Sequence, residues 1–255
     1  MIGMRFLFIL LITVFATISL VSASDKTRVE ELLQVQYLPI NYNAMANMEW
    51  KFNTLNMGNY NAIEDYIAIT NCPLYSRYYT NDFLWQRIKE GVKRQLGYYA
   101  PQFTDRYEII SAIDLGRYDF QKAAFILPED SQLRNVAYFT LGRINSLGTV
   151  CDRDIKEFPV IFSAVMNTPI NLDNVPVTID TAKSIIEKNN SRNPNKRMAV
   201  MRLRLKILDV LPDEKSSAAL YTETKFRTEV DEIAIFENTR SDTPIWEINF
   251  KDLKR

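Results

Sequence analysis

Three groups of carboxylates stand close enough along the chain to share a site: Glu64 with Asp65, Asp114 with Asp119 around Gly116, and Glu229 with Asp231 and Glu232. Two such carboxyls can cut a glycosidic bond by themselves, one protonating the leaving oxygen while the other serves as base or nucleophile. Asp and Glu are also ordinary solvated surface residues, so only the fold decides whether any pair faces a cleft. No histidine occurs among the 255 residues. Nucleophile systems of the Ser-His-Asp or Cys-His kind therefore lack a base, and histidine-ligated zinc, copper or non-haem iron is excluded. The glycine-rich strings of nucleotide cradles and nucleophile elbows are missing too. No metal or cofactor is expected.

Binding chemistry has more material. Aromatic residues gather at Tyr75, Tyr78, Tyr79, Phe83 and Trp85, and again at Tyr98, Tyr99, Phe103 and Tyr107, with Arg77, Arg87, Lys93, Arg94 and Arg106 among them. Rings amid cations form stacking platforms for sugars or bases. The same rings also pack a helix–sheet junction, with Phe83 and Trp85 at core positions. Further on, Lys183, Lys188, Arg192, Lys196, Arg197, Arg202, Arg204 and Lys206 meet only Glu187. That run reads either as a cationic face or as a strand whose Arg202, Arg204 and Lys206 pair with Glu223, Glu229 and Asp231 across a sheet. The candidate ligand surface combines Tyr78, Tyr79, Arg87, Tyr98 and Tyr99 with Arg202, Arg204 and Lys206.

The elements that would carry these residues change character near residue 105. Before it the period is helical. Thr27 and Glu30 fit a capping box. Met45, Met48, Phe52 and Leu55 share one helical face, and Asn61 opens a third helix. Leu84, Ile88, Val92 and Leu96 make the clearest stripe, with Asn81 or Asp82 as cap and Gly97 as terminator. After it, strands are predicted at 107–115 and 118–127 around Gly116, then at 136–144, 160–166 and 175–179. A helix at 182–188, capped by Asp180 or Thr181, buries Ile185 and Ile186. Residues 201–207 alternate strictly, apolar on one face and cationic on the other. Strands at 226–236 and 245–250 complete the set, with polar stretches at 189–196 and 212–217 as loops. The pattern is α+β: N-terminal helices packed on or beside a C-terminal, largely antiparallel sheet, with boundaries at 24–104 and 105–255 or one domain over 24–255.

Compartment is read from the first residues. Arg5, an apolar run over 6–21 and Val21-Ser22-Ala23 form a secretory signal, 1–23, with cleavage after Ala23. The run is shorter than a spanning helix needs, so no membrane span remains after cleavage. In an exported chain Cys72 and Cys151, the only two cysteines, form one disulfide, tying the helical front to the β-rich middle. Lys plus Arg and Asp plus Glu balance at 31 each, giving no global bias toward nucleic acid or anionic lipid. The expectation is an exported periplasmic or extracellular protein that binds an envelope protein or a glycan rather than catalysing. The alternative is a histidine-independent glycan hydrolase with paired carboxylates, which requires a cleft holding one carboxyl of raised pKa beside an ionised one.

Overall fold

A computed structural model describes residues 36–52, 55–144, 149–151, 153–190, 197–212 and 222–250. The signal segment at 1–23, the Thr27–Glu30 capping box, residues 191–196 of the first polar loop and 213–217 of the second lie outside those residues. From Tyr37 onward the chain gathers into one compact unit.

Short polar side chains start the helices. Asn41 caps α1 (Tyr42–Lys51), its amide oxygen accepting the Ala44 N–H at 2.9 Å. Met45, Met48 and Trp50 are buried, but the helix stops before the expected stripe does: Phe52 is the C-cap and Leu55 lies beyond it, both still packed on the core. Helix α2 (Tyr60–Thr70) is capped by Asn59, not Asn61, because Asn59 has the extended backbone a cap needs while Asn61 lies inside the helix. Asn71 ends α2 and caps α3 (Cys72–Tyr78), a short helix the sequence had read only as an aromatic cluster. Asn81 caps α4 (Asp82–Tyr99). Gly97 does not stop it; the helix runs on to Tyr99 and tightens into a 3₁₀ turn at Ala100–Gln102. Its core-facing stripe is Trp85 and Leu96, buried, with Ile88 and Val92 partly buried, whereas Leu84 and Phe83 are exposed.

Among the described residues, four of the six pairings in the main sheet are antiparallel. Its strands are β1 (Leu38–Pro39), β2 (Arg106–Asp114), β5 (Val136–Arg143), β8 (Ile161–Ile170), β10 (Met198–Val210), β11 (Glu223–Phe236) and β12 (Trp246–Asn249), in the order β1-β2-β10-β11-β8-β5 with β12 on β11. The β1–β2 and β11–β8 pairs are parallel. The expected strand at 118–127 folds instead into a hairpin, β3 (Tyr118–Asp119) with β4 (Ala124–Ile126), which joins β9 (Asn174–Pro176) in a separate small sheet, and β6 (Thr149–Val150) pairs with β7 (Arg153–Asp154). Gly116 makes that departure possible, with φ +65° and a position where a Cβ would lie 2.2 Å from the Ile126 carbonyl oxygen. Helix α5 (Ile179–Asn190) takes its cap from Thr178, whose hydroxyl accepts the Thr181 N–H at 3.3 Å, rather than from Asp180 or Thr181.

The predicted alternation along β10 holds. Met201, Leu203, Leu205 and Ile207 are buried, and Arg202, Arg204 and Lys206 point to the opposite face. Helix α1 lies on the apolar face: Phe52 meets Phe226 at 5.8 Å between ring centroids, and Phe226 stacks on Phe162. Gly142 of β5 lets this helix approach, since a Cβ there would stand 2.8 Å from the Met45 sulfur. The architecture is α+β, a mostly N-terminal set of helices with a large mixed sheet.

Candidate functional site

A cleft of about 840 Å³ opens where β11 begins, lined by Glu49 of α1, Tyr138 of β5, Val165 of β8, Glu223 and Lys225 of β11, and residues 156–159. Register explains why three distant strands meet there. Thr140, Ser163 and Lys225 lie side by side across β5, β8 and β11. Side chains two residues apart share a face, so Tyr138, Ser163 and Glu223 converge.

Glu223 is held as an acceptor. The Ser163 hydroxyl donates to its Oε1 at 2.5 Å and the Tyr138 hydroxyl donates to the same oxygen. Lys225 Nζ stands 3.9 Å from Oε2. Burial by itself raises this carboxyl, but the two hydroxyl donors and the Lys225 charge outweigh it and hold Glu223 below the usual carboxylate range. Glu49 has the opposite environment. Its residue is 1% exposed, between Met48 and Trp50. Burial pushes its carboxyl up to about 7, with a hydrogen bond from Thr224 opposing the shift. The cleft thus carries one ionised carboxylate and one carboxyl that exchanges its proton near neutrality.

The third wall is fixed from the helices. Asp65, fully buried, accepts the backbone N–H groups of Lys156 and Glu157 at 2.9 Å each and the Arg153 Nε–H at 2.7 Å. Arg153 also reaches Glu64 at 3.1 Å, and Glu64 accepts from Lys89 at 2.8 Å and from the Trp85 indole at 3.1 Å. Glu157 accepts from Asn59 at 2.7 Å. Cys72 and Cys151 are bonded as expected, with Cα atoms 5.5 Å apart, pinning the start of the same segment to α3.

The carboxylates grouped by sequence do other work. Glu64 and Asp65 hold this wall. Asp114 accepts the Gly116 N–H at 2.9 Å and Asp119 those of Gln121 and Lys122, so both close turns. Asp231 sits at a bulge in β11 and binds Arg106 and Tyr37, while Glu232 takes Arg202 at 2.8 Å and Arg204 at 2.9 Å. Arg204 also reaches Glu108 at 3.3 Å. Of the expected cross-strand partners, only Glu229 stands opposite its cation, Lys206; Glu223 is in the cleft instead.

The candidate ligand surface is not brought together as one patch. Tyr78 closes α3 and Tyr79 follows it, stacked on Tyr75 at 4.9 Å. Arg87 lies in the second turn of α4, and Tyr98 and Tyr99 at its far end, edge to face at 4.8 Å. Arg87 and Tyr98 are thus about 16 Å apart along the axis. Arg202, Arg204 and Lys206 occupy the sheet face turned away from α1. Sequence reasoning missed Glu49 as a site residue, although a carboxylate inside the apolar run Met48-Glu49-Trp50 is the signal that could have found it. Among the described residues no group of three His, Cys, Asp or Glu side chains is placed to hold a metal ion, and no helix is long and apolar enough to cross a membrane.

Fold and site together define a disulfide-linked α+β protein with a carboxylate-lined cleft at one end of its main sheet. Residues 59–188, just over half of the chain, match the family described as Domain of unknown function (DUF4852). The chain belongs to that family. No curated protein and no solved structure matches it.

Proposed function

We propose that this is an exported binding domain, not a catalyst, and that its cleft takes a glycan segment of the cell envelope or extracellular space. The observation that carries the reading is the cleft itself, with Glu223 as an acceptor for hydroxyls, Lys156 and Lys225 as donors, and Tyr138 as an exposed ring surface. Sites of this size hold small ligands by a few placed polar groups on an apolar lining. The Cys72–Cys151 bond and the signal-like residues 1–23 support export. Intact mass of protein secreted from a heterologous host tests that part: a chain starting near Ser24 with no alkylatable thiol supports it, and an uncleaved chain with two thiols removes it. Calorimetric titration with soluble glycan fragments tests the site. Binding lost in Glu223→Gln, in a variant that melts as the parent does, is the expected result.

A second reading has its own observation: the two carboxyls are displaced in opposite directions, as a general acid and an ionised partner must be. In that reading Glu223 is the ionised partner, and Glu49, 1% exposed, must be uncovered before it can protonate the leaving oxygen. Release of new reducing ends, abolished in both Glu49→Gln and Glu223→Gln, would replace binding by hydrolysis.

A further inference from the structure

The outward face of α4 carries a row that neither the core nor the cleft uses. Phe83, Arg87, Arg94 and Tyr98 stand at i, i+4, i+11 and i+15, within an arc of about 60° on a 3.6-residue helix. The core-facing stripe of Trp85, Ile88, Val92 and Leu96 lies opposite. Phe83 is 86% exposed and Tyr98 66%, the two rings about 22 Å apart with both arginines between them. Single exposed apolar residues are ordinary, but a bare Phe leading a row of unpaired cations is not a solvated helix face.

Charge says what kind of partner would cover it. Arg87 and Arg94 make no ion pair or hydrogen bond among the described residues, in contrast to Lys89, which binds Glu64. Glu90, three residues after Arg87 and four before Arg94, turns toward the Tyr60 hydroxyl, and Lys93, over the Tyr60 ring, offsets its charge. Asp82 stands on the far flank, beside the helix cap. Gly91 falls in the middle of the row, where a Cβ would meet nothing within 4 Å, so a flat surface can approach the backbone. The row is convex and straight, which suits a planar target better than a chain that must be enclosed.

We propose that α4 docks in plane on an anionic phospholipid surface, with Phe83 and Tyr98 entering the headgroup boundary and Arg87 and Arg94 on lipid phosphates. Helices bind this way when an aromatic and basic face meets anionic lipid. The inference is independent of the cleft and of what it binds.

Vesicle co-sedimentation of the full chain tests it, comparing phosphatidylglycerol–phosphatidylcholine mixtures with phosphatidylcholine alone. The apolar residues 6–21 would bind both lipids alike, so the ratio between the two is the readout. Each arginine near an anionic surface strengthens binding by about 5-fold. The parent should prefer the anionic vesicles, and Arg87→Gln with Arg94→Gln should lower that preference by about 25-fold. The Arg→Lys pair should restore it, and Phe83→Ala should weaken binding to anionic vesicles at an unchanged melting temperature. Equal binding to both vesicles overturns the proposal, as does a preference untouched by the double substitution. Capture of soluble chondroitin sulfate through the two arginines, without vesicle preference, assigns the row to an acidic polymer and overturns it too.

Discussion

Arg153 donates its Nε–H to Asp65 at 2.7 Å, and Asp65 is sealed from solvent. This one carboxylate also receives the N–H groups of Lys156 and Glu157, so three of the bonds that hold one wall of the cleft converge on a single side chain of α2.

Replacing Asp65 should therefore both unfold and unshape. Removing one partner of a buried pair leaves the other uncompensated, at about 3–5 kcal/mol; Arg153 is partly exposed, which places Asp65→Asn near the lower figure. Urea unfolding should show the midpoint falling with an unchanged slope.

The disulfide closes a loop between residues 79 apart. Chain entropy assigns such a loop about 4–5 kcal/mol, less any strain. Thermal melts of the Cys72→Ser, Cys151→Ser double variant should match the parent melted with reductant, and reductant should leave the variant unmoved.

Glu49 makes stability depend on pH. Its carboxyl titrates at about 7 in the folded chain against 4.5 ordinarily, so between these values the native state keeps a proton that the unfolded chain has released. Stability from this group is full below pH 4.5 and is lost as pH rises through 7, by about 3 kcal/mol in all. Chemical denaturation across pH 4–8 should show that loss as the difference between the parent and Glu49→Gln, which lacks the titrating group.

Two kinds of glycine should respond oppositely to alanine. At Gly116, φ +65° and the Ile126 carbonyl leave no room for a Cβ, so Gly116→Ala should cost about 1–3 kcal/mol or more. Gly97 lies inside α4 with open space around it, so Gly97→Ala should stabilise by up to about 1 kcal/mol. Melting temperatures of the two variants, moving down and up respectively, check both.

Most elements were legible because their signals are local. The alternation of Met201 to Ile207 and the stripe down to Leu96 depend only on the 2.0 and 3.6 periods of a strand and a helix. Boundaries were less so. Asn59 and Asn61 both carry a capping side chain, and only backbone dihedrals separate them. Phe83 and Leu84 face outward because each step of four residues drifts about 40° around the helix, and at that end Trp85 holds the core position.

By itself the sequence determined the α+β order, the strict two-faced strand and the single disulfide its two cysteines permit. Tertiary structure alone decided the cleft. Tyr138, Ser163 and Glu223 are far apart along the chain and meet because β5, β8 and β11 pair in one register, and Glu49 reaches the same cleft from the other face of the sheet, where α1 packs on Phe226. A carboxyl's chemistry follows from what surrounds it: hydroxyl donors from other strands keep Glu223 ionised, and burial, at which the adjacent Met48 and Trp50 only hint, keeps Glu49 protonated to near neutrality.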